Sequence, residues 1–331
     1  MSDFNINDAK EEMNSWYWWG IPTFFKCPWN EDPKECDIAL VGVPHSSGNG
    51  STQRDQHLAP RVIRDISGGY RRAHQKFGIV PWDVARIHDL GDCPLPEAMV
   101  NDICVEHIEA YFKQIDAAGA RPVTVGGDHS ITGPILKAIA GKNGNLSGGK
   151  KVALIHFDAH RDDYQHLPHW LGSRRSAAHW AHYTVTEECV DPGHSIQVGL
   201  RGNPIKPRED LFHSELGYKL LPADEFYRIG LQQSIEAIVD RVGDLPIYIT
   251  FDLDSLDPCD APGVSNLEPM HRGLRAWECM EIFHALRGKN IIGADLVCMI
   301  PTKDNEAQVT AMNTMALMFE LTSLIADHIK H

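Results

Sequence analysis

Six short apolar runs set the strongest constraint on this chain. They are "DIALVGV" (37–43), "RPVTVGG" (121–127), "KVALIHF" (151–157), "SIQVGL" (195–200), "PIYITFDLD" (246–254) and "IIGADLV" (291–297). Rich in Val and Ile and nearly continuous, they read as strands covered on both faces in a parallel sheet. Amphipathic stretches lie between them, among them 101–120, 231–244 and 273–289; Gly-Lys closes the last, as at a helix end. Strand–helix alternation predicts a doubly wound α/β domain around a mostly parallel sheet. No repeat, low-complexity tract or linker divides the chain, so 37–331 reads as one domain behind an N-terminal arm, 1–36. The arm carries "SWYWWGIPTFFKCPWNEDPKEC". Its rings are expected to pack on the chain's own body, with contact to a neighbouring subunit as an addition.

Charge narrows the partners. The 331 residues hold 31 basic and 45 acidic side chains, a net charge of −14. That argues against nucleic acid and anionic membranes, and mildly favours a cationic substrate. The polar, acidic N-terminus is no signal peptide, and no run of about eighteen apolar residues predicts a membrane span. Eight scattered cysteines without a CxxC read as reduced thiols of a cytoplasmic protein.

Ligands of open α/β sheets gather at the carboxyl ends of strands. Three runs end in polar residues there. One gives Gly126-Gly127-Asp128-His129-Ser130, the second Asp158, His160 and Asp162 in "DAHRD", the third Asp252 and Asp254 in "FDLDSLDP". Positions two apart share a face where the chain stays extended. Alone, a His after Gly-Gly is a turn residue and a DxD at a strand end is a helix cap. Together, four carboxylates and two imidazoles at one place would repel without a cation. Mixed imidazole and carboxylate ligands suit Mn, Ni or Zn better than Ca or Mg. Six ligands are too many for one ion and suit two that share a carboxylate and activate one water.

These motifs resemble the ureohydrolase family, which includes arginase, agmatinase and other guanidino-compound hydrolases. "GGDHS", "DAHRD" and "FDLDSLDP" match in order, spacing and position, and the resemblance runs from about residue 37 to the C-terminus. It implies a three-layer α/β/α fold, trimers or hexamers, or a mixed oligomer with a homologous chain, and a centre of two divalent ions, Ni2+ or Mn2+. It implies His129, Asp158, Asp162 and Asp254 on one ion, and Asp158, His160, Asp252 and Asp254 on the other. The reaction implied is hydrolysis of a small cationic guanidino substrate, releasing urea and an amine or ammonia.

Three substrate-facing segments depart from the family pattern. Cys298 stands where the family carries a Glu that clasps the guanidinium, aligned through Asp295 and Pro301. The loop 263–273 and the early loop "HSSGNGSTQRDQHLAP" are also changed. They put His45, Asn266 and Cys298 forward as substrate-facing residues. The changes resemble the branch acting on free guanidine, methylated guanidines or biguanides such as metformin. The alternatives are an agmatinase or guanidino-acid hydrolase with a tailed substrate, or one subunit of a mixed oligomer. A one-zinc deacetylase is the competitor from another class. Cys298 reads as a neutral wall rather than a nucleophile. His179, in "SAAHWAHY", is the expected proton shuttle, with His166, His169 and His182 as other candidates, and the ligand Asp162 is expected to act with it as a catalytic residue.

Overall fold

The computed structural model describes residues 5–14, 16–51, 53–165, 174–202 and 212–331. Its strands are β1 (Ile38–Val43), β2 (Ile87–Asp92), β3 (Arg121–Gly126), β4 (Ala153–Phe157), β5 (Ile196–Val198), β6 (Lys219–Leu221), β7 (Ile247–Asp252) and β8 (Ile291–Val297). They form one sheet in the order β2-β1-β3-β8-β7-β4-β5-β6, with every neighbouring pair parallel. All six expected strands are present. The two additional ones, β2 and β6, are the edges.

The helices are α1 (Ile6–Met13), α2 (Ala59–Ser67), α3 (Pro81–Val84), α4 (Asn101–Ala118), α5 (Thr132–Ile139), α6 (Trp180–Thr186), α7 (Ala223–Ile229), α8 (Leu231–Val242), α9 (Ala276–Ala285) and α10 (Val309–Lys330). Alternate residues of β1 separate two cores. Ile38 and Leu40 pack with Ile63 of α2, Ile238 of α8, Ile282 of α9 and Leu321 of α10. Ala39, Val41 and Val43 pack with Phe112 of α4, Leu136 of α5 and Trp180 of α6. This two-sided burial covers both faces of the sheet, as the continuous apolar runs predict, and makes the three layers that the resemblance implies. α4 stops at Gly119, whose φ of 77° is left-handed and whose N–H returns to the Ile115 and Asp116 carbonyls. α10 is long and apolar enough to cross a membrane, but most of its length is buried against the sheet, so it reads as a core helix.

The arm departs from expectation. Phe24 and Phe25 are buried, their amides held by Asp89 and Ser67. Trp16, Tyr17, Trp18, Trp19 and Trp29 remain exposed.

Candidate metal centre

The centre lies at the carboxyl ends of β3, β4, β7 and β8. After β3 the chain turns through Gly127, where a Cβ would stand 1.6 Å from the His45 carbonyl oxygen; this close approach of two backbones requires glycine. Asp128 caps the next turn by accepting from the Ser130 N–H at 2.9 Å, and it holds the Gly48 N–H at 2.8 Å. His129 opens that turn. β4 ends at Phe157, before Asp158, and β7 passes into a turn at Leu253–Ser255 in which Asp252 accepts from the Asp254 N–H at 2.9 Å. The expected extended backbone through Asp158–Asp162 and Asp252–Asp254 is therefore absent. Tight turns converge the side chains instead. Asp162 has a φ of 52°, a left-handed conformation uncommon outside glycine.

All six expected ligand residues come together, in two groups. Around His129 Nδ1 stand Asp158 Oδ2 at 3.0 Å, Asp162 Oδ2 at 3.1 Å and Asp252 Oδ2 at 3.2 Å. Around His160 Nδ1 stand Asp158 Oδ1 and Asp254 Oδ2, both at 3.3 Å. Asp158 thus offers one oxygen to each group. Asp252 rather than Asp254 lies beside His129, which regroups the sharing implied by the resemblance. Both rings present Nδ1 because Nε2 is engaged: with Thr250 Oγ1 at 2.9 Å for His129, and with Glu268 Oε1 at 3.2 Å for His160. The three carboxylates at His129 Nδ1 are at ion-pair distance but none is aligned to hydrogen-bond, and Asp254 Oδ2 is likewise buried without a partner.

The electrostatics show the same frustration. Burial alone would lower the His129 imidazole, but Asp158, Asp162 and Asp252 raise it well above the ordinary value. Burial, then the charges of Asp254 and Asp158, push Asp252 well up. Burial opposes ionisation of Asp158, yet His129, His156 and His160 hold it well below the carboxylate range. Orphaned buried donor atoms and four clustered carboxylates fit two divalent transition ions.

Several contributors escaped the sequence reading. His156 donates Nε2–H to Asp158 Oδ2 at 2.8 Å, because Gln197 Nε2 occupies its Nδ1 at 3.2 Å. The only signal was a polar residue inside the run "KVALIHF". Trp180 lies 4.8 Å from both imidazole rings, tilted at 35° to His129 and edge-on at 66° to His156, and donates Nε1–H to Asp162 at 3.1 Å. Glu268, in the altered loop, fixes His160. The segment "SAAHWAHY" therefore reaches the centre through Trp180 and borders the cavity through Ala177 and Ala178. His179 is buried at the start of α6 with Nδ1 2.8 Å from Ser176 Oγ, and it does not line the cavity. His182 is half-buried on α6, and His166 and His169 lie outside the described residues.

A cavity of about 320 Å³ opens over the centre. His129, His160, Asp162 and Asp252 form its floor, and Asn49, Ser51, Tyr164, Asn266 and Cys298 its walls. Of the residues expected to face the substrate, Asn266 and Cys298 line this cavity. His45 lies outside that lining: its backbone is pressed against Gly127, and its buried ring pairs through Nε2 with Asn101 Oδ1 at 2.9 Å. Cys298 has a φ of 69° and is anchored by its N–H to Gly127 O at 2.8 Å. Burial, then Asp252 and Asp254, raise its thiol well above the ordinary value, as suits a neutral wall.

A second cluster, His74, His284 and Glu320, has a different character. His74 Nδ1 accepts the Phe77 N–H at 3.0 Å and His284 Nδ1 faces Lys76 Nζ at 3.0 Å. Both Nε2–H groups therefore donate to Glu320, at 2.8 and 2.7 Å. It is a hydrogen-bonded clasp with no nitrogen lone pair left for an ion.

Comparison with known proteins places these features in context. The model of the arginase family matches residues 36–323. Guanidinopropionase of Pseudomonas aeruginosa is 33% identical over 312 residues, covering 93% of this chain and 92% of its own. Mitochondrial agmatinase of Gallus gallus is 33% identical over 311 residues, covering 92% and 86%. Among solved structures, proclavaminate amidino hydrolase from Streptomyces clavuligerus superposes with a TM-score of 0.84 at 25% identity, covering 94% of this chain and 99% of its own.

Proposed function

The chain belongs to the arginase family, and on that premise we propose that it hydrolyses a guanidino compound at a centre of two divalent transition ions, Mn2+ or Ni2+. The observation that carries this reading is the pair of groups sharing Asp158, each presenting an imidazole Nδ1 to carboxylate oxygens at 3.0–3.3 Å. His129, Asp158, Asp162 and Asp252 would hold one ion, and His160, Asp158 and Asp254 the other. When bound, the ions supply Lewis acidity that activates water. The chain's own residues do the rest. The four carboxylates draw a cationic guanidinium to the cavity floor. Glu268 and Thr250 keep the two imidazoles oriented. Cys298 and Asn266 border the reacting group without adding charge.

We read the substrate as a guanidino acid or amine with a tail. Support comes from the guanidinopropionase and agmatinase relatives, which align over more than nine-tenths of the chain. A second reading, a tail-less guanidine, methylguanidine or biguanide, rests on Cys298: a neutral thiol cannot form the charge-assisted pair that a Glu gives a guanidinium. We also read residues 1–36 as an arm serving subunit contact, supported by the exposed rings of Tyr17 and Trp18. The test is product release over guanidine, methylguanidines, metformin, agmatine, arginine and guanidino acids after loading with Mn2+ or Ni2+. The tailed reading expects a guanidino acid or agmatine to lead by at least about tenfold in kcat/KM, or about 1.4 kcal/mol. A lead for tail-less guanidines moves the assignment to the second reading. No turnover of any by a chain carrying two ions would overturn the hydrolase.

A further inference from the structure

Five of the strands each carry a polar residue at the same level of the sheet: Thr124, His156, Gln197, Thr250 and Asp295. The register aligns them. Thr124 pairs with Asp295, Asp295 with Thr250, Thr250 with His156, and His156 with Gln197. They make one row across β3, β8, β7, β4 and β5, and all five are fully buried. A buried polar row interrupts a hydrophobic layer at a cost unless its groups are paired; the Thr124 hydroxyl has no partner, and the hydrogen bonds of the other four can be traced proton by proton.

Asp295 receives three hydroxyl groups. Thr250 Oγ1 lies 2.6 Å from its Oδ1, and Tyr248 Oη and Thr132 Oγ1 lie 2.8 and 3.0 Å from its Oδ2. Each hydroxyl has one proton to give. Thr250 gives its proton to Asp295, so only lone pairs remain for His129 Nε2, 2.9 Å away. His129 Nε2 must then carry the hydrogen. We propose that Asp295 is a positioning residue which, through Thr250, fixes the His129 tautomer and leaves Nδ1 bare toward Asp158, Asp162 and Asp252. The relay rests on the two-ion reading above. It extends that reading to a carboxylate that touches none of the ligand residues. Opposite donor order, with the acid protonated and Thr250 donating to His129, would put the hydrogen on Nδ1 and block the site.

The variants are Asp295→Asn, Thr250→Val and Thr250→Ser, in the full chain. An amide at 295 donates to Thr250 and reverses the relay; Val removes it at nearly constant volume; Ser restores it. Chelator-treated protein is titrated with Mn2+, with free ion read by electron paramagnetic resonance. The visible spectrum of the Co2+-loaded chain reports imidazole in the coordination sphere. The relay expects Asp295→Asn and Thr250→Val to weaken one of two ions by about 10–100-fold and alter the Co2+ spectrum, while the other ion is held as before. Thr250→Ser should match the unaltered chain. If Asp295→Asn does not fold, the Val–Ser contrast at Thr250 decides. Two ions bound equally by the unaltered chain and by Thr250→Val would overturn the relay alone. Fewer than two ions on the unaltered chain would overturn the two-ion reading and the relay with it.

Discussion

Asp252→Asn should change stability with opposite signs in the ion-free and the loaded chain. Asp252 is 3% exposed, beside Asp158 and Asp254. Its folded-state pKa is raised, by burial first and by those two carboxylates next. A raised carboxyl pKa means that ionisation opposes folding. The penalty is absent below the ordinary carboxylate pKa, grows as pH rises and is complete above the folded value. Asparagine removes this penalty while keeping the oxygen that accepts from the Asp254 N–H. The loaded chain is governed by binding. Each ion at a hundred times its Kd stabilises by about 2.7 kcal/mol, so two give about 5 kcal/mol. A chain of 331 residues unfolds with an entropy of roughly 0.7 kcal/mol/K, so the ions should raise Tm by about 8 °C. The assay is thermal unfolding at neutral pH with chelator and with Mn2+. The variant is expected to melt at or above the parent without ions, and to gain less than half the parent's rise with them. An ion-free Tm several degrees below the parent, together with an undiminished rise, would refute the reasoning.

Three further outcomes follow from the packing. Of the eight cysteines only Cys259 is exposed, so a thiol reagent on the native chain at pH 8 should label one site rapidly, and Cys259→Ser should abolish that label; fast labelling of Cys298 would contradict its placement. Arg64 holds the buried Asp89 at 2.8 Å and also reaches Asp92, so Arg64→Ala should cost about 3–5 kcal/mol in denaturant unfolding, and a loss under 1 kcal/mol would show the pair idle. Burial opposes ionisation of Glu320, but His74 and His284 hold its carboxyl below the ordinary value. Its stabilisation is therefore present above the ordinary carboxylate pKa and lost as pH falls through the folded one. Glu320→Gln should be less stable by about 1–3 kcal/mol at pH 7, and the gap should shrink on acidification.

The sheet was legible where it is buried twice. β1, β3, β8, β7, β4 and β5 are interior strands, and burial on both faces leaves no room for polar alternation, so they stand out as apolar runs. β2 and β6 are edges with one neighbour each. "IHDLGD" carries two aspartates, and β6 is three residues long, so neither shows a run. The ligands were legible because they sit at strand ends in short repeated motifs. Trp180, Glu268 and Thr250 were not, because their parts depend on contacts between distant segments: Thr250 meets His129 across 121 positions. His45 misled because a polar loop residue reads as substrate-facing until the Gly127 contact turns its ring inward.

The two-residue period does operate in the centre, one step earlier than the motifs suggest. On β7 the in-strand pair is Thr250 and Asp252, and on β4 His156 lies in the strand two residues before Asp158. Each pair shares a face and joins a support to a ligand: Thr250 holds His129 beside Asp252, and His156 donates directly to Asp158. Strand alternation therefore stacks a hydrogen-bonding layer beneath the ligand layer. The turns that follow, including the left-handed Asp162, bring in the remaining ligands. A rigid sheet sets the depth of the first groups, and short turns close the ring above them. The sheet therefore carries the geometry of the centre, in the hydrogen-bonded part of the row from Asp295 through Thr250 and His156 to Gln197, while the residues bordering the cavity, Asn49, Ser51, Asn266 and Cys298, stand on the segments that follow the strands.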